Sequence, residues 1–234
     1  MREDPWLSER LGLDAWWVDP VDAEEIRRRA AARTPGFYQA KVDADQVGAL
    51  GELTRAGMSV VDFNVTLGRE PGGDVESGVP VEPAGVDDAG EVLEIAENEF
   101  SASRFHMDPK TPDDVARRIK RDWVRAYVDG ERGHRLLVAR GPGHTPGFLA
   151  ELDRDGTRVI DLVAVRGSAR RSGVGRALVA EVIRDAPASV EVGTQAANVP
   201  ALRFYEELGF KVSRARYVLH LRLPREGGAD RERS

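Results

Sequence analysis

Hydrophobic and polar positions recur with two different periods along the chain, that of a strand and that of a helix, and the changes of period mark the elements. From Ser59 to Leu67 the period is two: Val61, Phe63, Val65 and Leu67 share one face, and Asp62, Asn64 and Thr66 share the other. This predicts a half-buried strand. Before it, Asp19-Pro20 starts a helix that runs to Arg33, where Thr34-Pro35-Gly36 stops it. Phe37 to Val42 reads as a strand. Asp43 or Asp45 then caps a helix with Val47, Leu50 and Leu53 on one face, and Gly57 ends it. The first 75 residues are therefore expected to form a small βαβ-like module. Trp16-Trp17 read more readily as packing than as a ligand surface.

Residues 70–80, EPGGDVESGVP, are rich in Gly, Pro and acid and predict a linker and domain boundary. A short strand at Val79 to Glu82 follows, then a helix from Asp87 to about Phe100 and a loop, SASRFHMDP, from Ser101 to Pro109. Thr111-Pro112-Asp113-Asp114 starts a second helix, which turns Val115, Ile119, Trp123 and Tyr127 inward. Leu136–Arg140, Gly147–Asp153 and Thr157–Val165 predict an antiparallel meander. A helix from about Gly173 to Ala186 has Val174, Leu178, Val179, Val182 and Ile183 as its core face. Ser189–Gly193 is a strand, and Asn198 caps a short helix that Gly209 stops. Two strands, Phe210–Arg214 and Arg216–Leu223, complete the domain. The expected division is residues 1–75, 76–225 and a disordered tail, 226–234, within an α/β (α+β) chain whose central sheet is mixed, mostly antiparallel and flanked by helices.

Composition narrows the function classes. The 234 residues are 41% hydrophobic and 32% charged, which suits a packed core. A net charge of −6 argues against bulk nucleic-acid binding. There are no cysteines, so disulfides, thiolate zinc sites and a cysteine nucleophile are all excluded. No metal site is expected. MREDPWLSERLGL lacks an apolar core for export, and no run reaches the ~20 apolar residues of a membrane span. A cytoplasmic protein with no membrane partner is the expectation, and a homodimer stays open.

The candidate chemistry gathers at Asp161 to Ala186. An apolar strand, Leu162-Val163-Ala164-Val165, leads into a basic turn rich in glycine that opens a helix. A helix start offers unpaired N–H groups and a partial positive charge, which suits an anion. Arg170, Arg171 and Arg176 add full charges, and Gly173 and Gly175 let a ligand approach the backbone. The P-loop spacing fails, because Arg176-Ala177 stands where Lys-Ser/Thr is needed. The dinucleotide fingerprint fails too, since Leu178 stands at its third glycine.

Arg170-x-x-Gly173-x-Gly175, together with Asn198, Tyr205 and Gly209-Phe210, resembles the motifs of the GNAT acetyltransferase superfamily over about residues 81–223. The resemblance implies acetyl-CoA as co-substrate, with its pyrophosphate on the turn from Arg170 through Arg171, Ser172, Gly173, Val174 and Gly175 to Arg176. It implies that Val163 and Val165 hold the pantetheine arm as an added strand and polarise the thioester, that Asn198 steadies that arm, and that Tyr205 protonates the leaving thiolate. The transfer would be direct, in a ternary complex with a small-molecule amine. His106, Asp108, Glu151 or a chain of waters are candidate bases. Ser103-Arg104-Phe105 and Thr194-Gln195-x-x-Asn198, with the N-terminal module, are similar to the dTDP-fucosamine acetyltransferases. That likeness implies a nucleotide-linked aminosugar acceptor, with Arg104, Phe105, His106 and Asp108 on the acceptor side and Lys120, Arg121 and Arg125 as further cations. Another amine acceptor (an aminoglycoside, a polyamine or a peptide N-terminus) is the alternative enzyme. A non-catalytic acyl-CoA-binding regulatory module is the alternative of another class.

Overall fold

A computed structural model describes residues 1–73 and 75–225. In chain order its elements are β1 (Arg2–Glu3), α1 (Pro5–Leu11), β2 (Ala15–Trp17), α2 (Ala23–Ala31), β3 (Gly36–Asp43), α3 (Val47–Arg55), β4 (Ser59–Arg69), β5 (Val81–Pro83), α4 (Ala89–Asn98), α5 (Asp113–Val128), β6 (Arg135–Gly141), β7 (His144–Arg154), β8 (Thr157–Val165), α6 (Val174–Asp185), β9 (Val190–Gln195), α7 (Val199–Glu207) and β10 (Lys211–Leu223). The class is the expected one, mixed and mostly antiparallel strands with flanking helices. The tail expected to be disordered, 226–234, lies outside the described residues.

Two compact units emerge, each drawn from separate stretches of chain. The first takes Met1–Asn64, Arg104–Val115 and the chain from Arg214 on; the second takes Val65–Ser103 and Ala116–Ser213.

In the first unit β2 runs parallel to β3, with α2 between them in the chain, and β10 runs antiparallel to β3 from Arg216↔Asp43 to Leu223↔Gly36. Alternation divides this sheet cleanly. Tyr38, Ala40, Val42, Leu219 and Leu221 pack with Ile26 of α2 and Leu53 of α3. Each such Leu or Ile, fully removed from water, contributes about 1.5–3 kcal/mol. The opposite face carries Phe37, Gln39 and His220, with Gln39 directly across from His220.

Several expectations here are corrected. The helix expected from Asp19 begins as a 3₁₀ turn, Pro20–Asp22, before α2. Neither Asp43 nor Asp45 caps α3: its N-cap is Gln46, without a side-chain bond, because the Asp43 carboxylate is taken by Arg214 at 2.6 and 2.7 Å. Asp62, assigned to a solvent face, is buried at 5% exposure. The two terminal strands are one, since Ala215 is no breaker and the ladder with β3 continues from Arg216. β1, α1 and β2 have no counterpart in the sequence reading, being too short for a periodic signal. Asp4 caps α1 by accepting from Leu7 N–H, with Pro5 at the first helical position.

The second unit carries the meander. Its strands follow the order β9-β8-β7-β6-β5, with β8 and β9 parallel and the other neighbours antiparallel. Val92 and Ile95 of α4, Val124 and Tyr127 of α5, and Val138, Phe148 and Leu162 of the sheet form one core. Leu178, Val179 and Val182 of α6 are completely buried.

Candidate active site

The site begins with a strand that stops pairing. The ladder of β8 with β9 ends at Ile160↔Val192, although β8 continues to Val165 and β9 to Gln195. On its other side β8 pairs with β7 through Leu162↔Ala150 and then Ile160↔Glu151, so Asp161 is an extra, bulged residue. A bulge bends and twists its strand, and here it sits where the two parallel strands part. The fork opens into a cavity of about 490 Å³ lined by Asp161–Val165, Val192–Gln195, Asn198 and Tyr205, with Glu99–Ser103, Lys120 and Arg170 at its sides. Freed from β9, alternate backbone groups of β8 beyond Ile160 face the fork and can pair with an extended ligand.

The turn after β8 is shaped for close backbone approach. Gly167–Ala169 form a 3₁₀ turn, and Arg171 and Gly173 adopt φ of +62° and +88°. Gly173 is the N-cap of α6, a backbone conformation that side chains rarely tolerate. The first α6 N–H with a carbonyl partner is Ala177, donating to Gly173 at 2.9 Å. Among the described residues no backbone carbonyl accepts from the N–H groups of Arg171 to Arg176, which leaves them for an anion. Gly175 lies where a Cβ would meet Phe204 at 3.6 Å and Val165 at 3.7 Å. Val174 is buried beneath the turn, and Ser172 closes it by donating to Ala169 O at 2.6 Å. Two of the motif cations are held by the protein itself. Arg170 pairs with Glu99 at 2.8 Å, and Arg176 donates to the carbonyl of Glu76 at 3.2 Å.

Asn198 caps α7 by accepting from Ala201 N–H at 3.3 Å, and its side chain also faces the cavity. The cap is thus compatible with a ligand role. Tyr205, 3% exposed, packs edge-on against Phe204 and Phe210. Burial pushes its hydroxyl well above the usual tyrosine range, so it holds its proton at neutral pH.

A family comparison fits this geometry: the model of the "Acetyltransferase (GNAT) family" matches residues 91–210. The chain belongs to the GNAT acetyltransferase family. It is 30% identical over 222 residues to a dTDP-fucosamine acetyltransferase of Escherichia coli O6:H1, spanning 92% of this chain and 95% of that protein. It is 32% identical over 146 residues to the spore coat polysaccharide biosynthesis protein SpsD of Bacillus subtilis, spanning 61% of this chain and about half, 49%, of that one. Among solved structures it resembles a GCN5-related N-acetyltransferase from Sphaerobacter thermophilus, with a TM-score of 0.59, 20% identity, and 86% and 65% of the two chains covered. A functionally unknown conserved protein from Staphylococcus epidermidis gives a TM-score of 0.63 at 12% identity, with 91% of each chain covered. These two likenesses speak for the GNAT fold alone.

Of the residues read from the sequence, the GNAT fold brings Val163, Val165, Arg170, Asn198 and Tyr205 to one cavity. The residues expected on the acceptor side gather elsewhere, in the first unit. There Phe105 packs with Phe37 and His220, and the guanidinium of Arg104 lies over the rings of Trp17 and Phe105, at 5.2 and 4.5 Å. Burial brings Arg104 down to about 10, against the opposing charge of Asp4 and Asp62. Asp108 Oδ2 lies 2.8 Å from Nδ1 of His220, and both residues are buried. Burial opposes ionisation of Asp108, but the bonds from His220 and the Lys110 N–H outweigh it and hold the carboxyl below its usual range. His106 is half-buried. Glu151 is wholly buried and takes Arg135 at 2.8 Å.

Two cavity residues were missed. Glu99, at the end of the helix expected from Asp87 to about Phe100, accepts from the Gly167 N–H at 3.0 Å and ties the turn to the end of α4. Asp161 was read only as a residue of the strand Thr157–Val165 and the first of the stretch that carries the candidate chemistry. Its signal was available: a carboxylate interrupting the apolar run Val159-Ile160-Asp161-Leu162-Val163.

Proposed function

We propose that this GNAT acetyltransferase transfers the acetyl group of acetyl-CoA to a primary amine, most suitably the amino group of a dTDP-linked deoxyaminosugar, directly in a ternary complex. The observation that carries the transfer is the fork between β8 and β9, which unites Tyr205, Asn198 and the unpaired edge of β8 in one cavity beside the open helix start of α6. The N–H groups of Arg171 to Arg176 would hold the pyrophosphate. The β8 edge at Val163 and Val165, with Asn198, would hold the pantetheine arm. Acetyl-CoA supplies an activated acyl thioester. The neutral amine nitrogen bonds to the acyl carbon while a β8 N–H facing the fork stabilises negative charge at the acyl oxygen; the C–S bond then breaks, Tyr205 gives its hydroxyl proton to the departing sulfur, and the proton shed by the nitrogen restores the Tyr205 hydroxyl.

Two observations support the acceptor. The likeness to dTDP-fucosamine acetyltransferase runs nearly end to end in both chains. The cavity also contains Lys120, 9% exposed, whose ammonium lies over Phe100 at 4.9 Å and Trp123 at 5.1 Å. A fixed positive charge there disfavours a polyamine and suits an acceptor with an anionic part.

Measuring CoA release from acetyl-CoA with dTDP-4-amino-4,6-dideoxygalactose, kanamycin and spermidine tests this reading. The expected kcat/KM is at least ~100-fold higher for the nucleotide sugar, about 2.7 kcal/mol of discrimination. Equal or better turnover of either other amine overturns the acceptor. No CoA release with any of them overturns the transfer.

A further inference from the structure

Asp161 is held in an unusual way for a residue inside an apolar strand. One of its carboxylate oxygens, Oδ2, accepts three side-chain donors: Trp123 Nε1 at 2.9 Å, Tyr127 Oη at 2.7 Å and Arg132 Nε at 3.0 Å. Arg132 Nη2 also reaches Oδ2, at 3.0 Å. None of these bonds goes to Oδ1. The carboxylate side chain retains 13% exposure. Asp161 is the bulged residue at the mouth of the fork, and it lines the same cavity as Tyr205, Val163 and Asn198.

The donors are themselves fixed. Trp123 and Tyr127 stand one turn apart on α5, so both reach the same oxygen. Arg132 comes from the turn after α5, and its guanidinium stacks on both rings, 5.1 Å from that of Trp123 and 5.9 Å from that of Tyr127. Gly133 completes the arrangement: its φ is +88°, and a Cβ there would fall 1.9 Å from Cε1 of Tyr127. Burial, and then the charge of Asp161, push the Tyr127 hydroxyl up and keep it a donor.

Packing alone does not call for this. A leucine at position 161 would continue the apolar strand without the cost of burying a charge and three polar donors. The neighbouring Glu151 shows what a sequestered carboxylate looks like here: it has no exposure and is paired with Arg135. Glu151 Oε2, which has no hydrogen-bond partner, is sealed from solvent, whereas Asp161 retains exposure and lines the cavity, so its second oxygen can be reached by a ligand.

We propose that Asp161 is the anchor for the acceptor's amino group, receiving its N–H⁺ on Oδ1. Trp123, Tyr127 and Arg132 are positioning residues that fix the carboxylate by its other oxygen. The assignment rests on the proposed acetylation of an amine, and extends it by naming the group that selects a protonated amine, holds it by one N–H on Oδ1 while another proton leaves its nitrogen to water, and so aims the neutral amine's lone pair at the fork. A carboxylate gripped by three donors cannot swing away, so the amine it holds stays oriented toward the acyl carbon.

The test uses the full chain. With the amine that the wild type turns over best, Asp161→Asn is expected to raise the amine KM at least ~30-fold while the acetyl-CoA Kd stays within about two-fold. Tyr127→Phe and Arg132→Met are expected to raise the same KM ~3–10-fold, each removing one donor, and Arg132→Lys is expected to recover part of that loss. An unchanged amine KM in Asp161→Asn, or an equal loss of acetyl-CoA affinity, overturns the anchor. A second measurement needs no variant. Methylammonium chloride added to the wild type with CoA is expected to shift the indole N–H resonance of Trp123, because that N–H shares the Asp161 carboxylate. Tetramethylammonium, which has no N–H, is expected to leave it in place. An identical response to both salts, or no response to methylammonium, overturns the proposal. If the wild type releases CoA with none of the amines, the proposed function falls, and the indole measurement still decides the anchor.

Discussion

Both units of this chain bury titratable side chains, and the two groups have opposite fates. In the first unit Asp108 and His220 face each other at 2.8 Å, beneath Phe37 and Phe105. Each is the other's partner through Nδ1 and Oδ2, and the pair is enclosed, with His220 Nε2 buried away from the fork's cavity and, among the described residues, without a hydrogen-bond partner. In the second unit Tyr205 is buried among rings yet faces a cavity, and Asp161 is gripped by one oxygen while the other lies outside the grip. Polar groups that complete one another hold a fold together. Polar groups left incomplete beside open space are where a ligand can complete them. The sequence offers both kinds in similar surroundings, and His106 and Asp108 are as chemically suggestive on paper as Tyr205.

Substitutions and pH can break this contrast. Gly173→Glu has the largest expected effect. A side chain forced into φ near +88° fills the turn, and its charge repels a phosphate, so acetyl-CoA affinity should fall at least ~1000-fold by calorimetry, about 4 kcal/mol. Unchanged affinity would remove the turn from the site.

Next in size is an effect confined to the enclosed pair. Burial drives His220 down to about 4 from an ordinary value near 6.5, although Asp108 pulls the other way. Between those values the unfolded chain binds a proton that the folded chain refuses. Stability should therefore fall as pH drops from about 6.5 to about 4, by up to about 3 kcal/mol. Urea unfolding of wild type and His220→Gln across that range measures the effect. The slope should flatten in the variant, and parallel curves would mean that His220 titrates normally.

Tyr205→Phe follows, with kcat lower by at least ~10-fold, about 1.4 kcal/mol in the barrier, and acetyl-CoA affinity within about two-fold. Full turnover would return Tyr205 to a packing role. The smallest expected change is Asp108→Asn. It should cost about 1 kcal/mol of stability, read from denaturant midpoints, because the amide still bonds His220 without charge. A loss of several kcal/mol would mean that the pair is worth more than one neutralised hydrogen bond.

Much of the second unit was legible in the sequence because its signals are local. Alternation gives the meander, Gly173 announces the start of α6, and Asn198 with Gly209 brackets α7 within a residue or so. Capping and glycine conformation depend on a few neighbouring residues, so the chain states them directly. The terminal strand was split in two, and α3 was given a cap it lacks, for the opposite reason. The missing cap turns on Asp43 being claimed by Arg214, which lies 171 residues away, and the single strand on the ladder that β10 makes with the distant β3.

The sequence by itself determined the locally encoded part of the candidate site: a glycine-rich turn after an apolar strand, an asparagine cap and a tyrosine in the helix that it caps. Each is a short motif with a local physical cause. Only the tertiary structure decided which carboxylates are enclosed and which line the cavity. Ladder pairing ends at Ile160, a bulge singles out Asp161, and α5 with its following turn brings three donors to one oxygen. The same structure closes Asp108 against His220 and Glu151 against Arg135. Whether a charge is completed or left open depends on groups distant in the chain, and no local pattern of hydrophobic and polar residues records it.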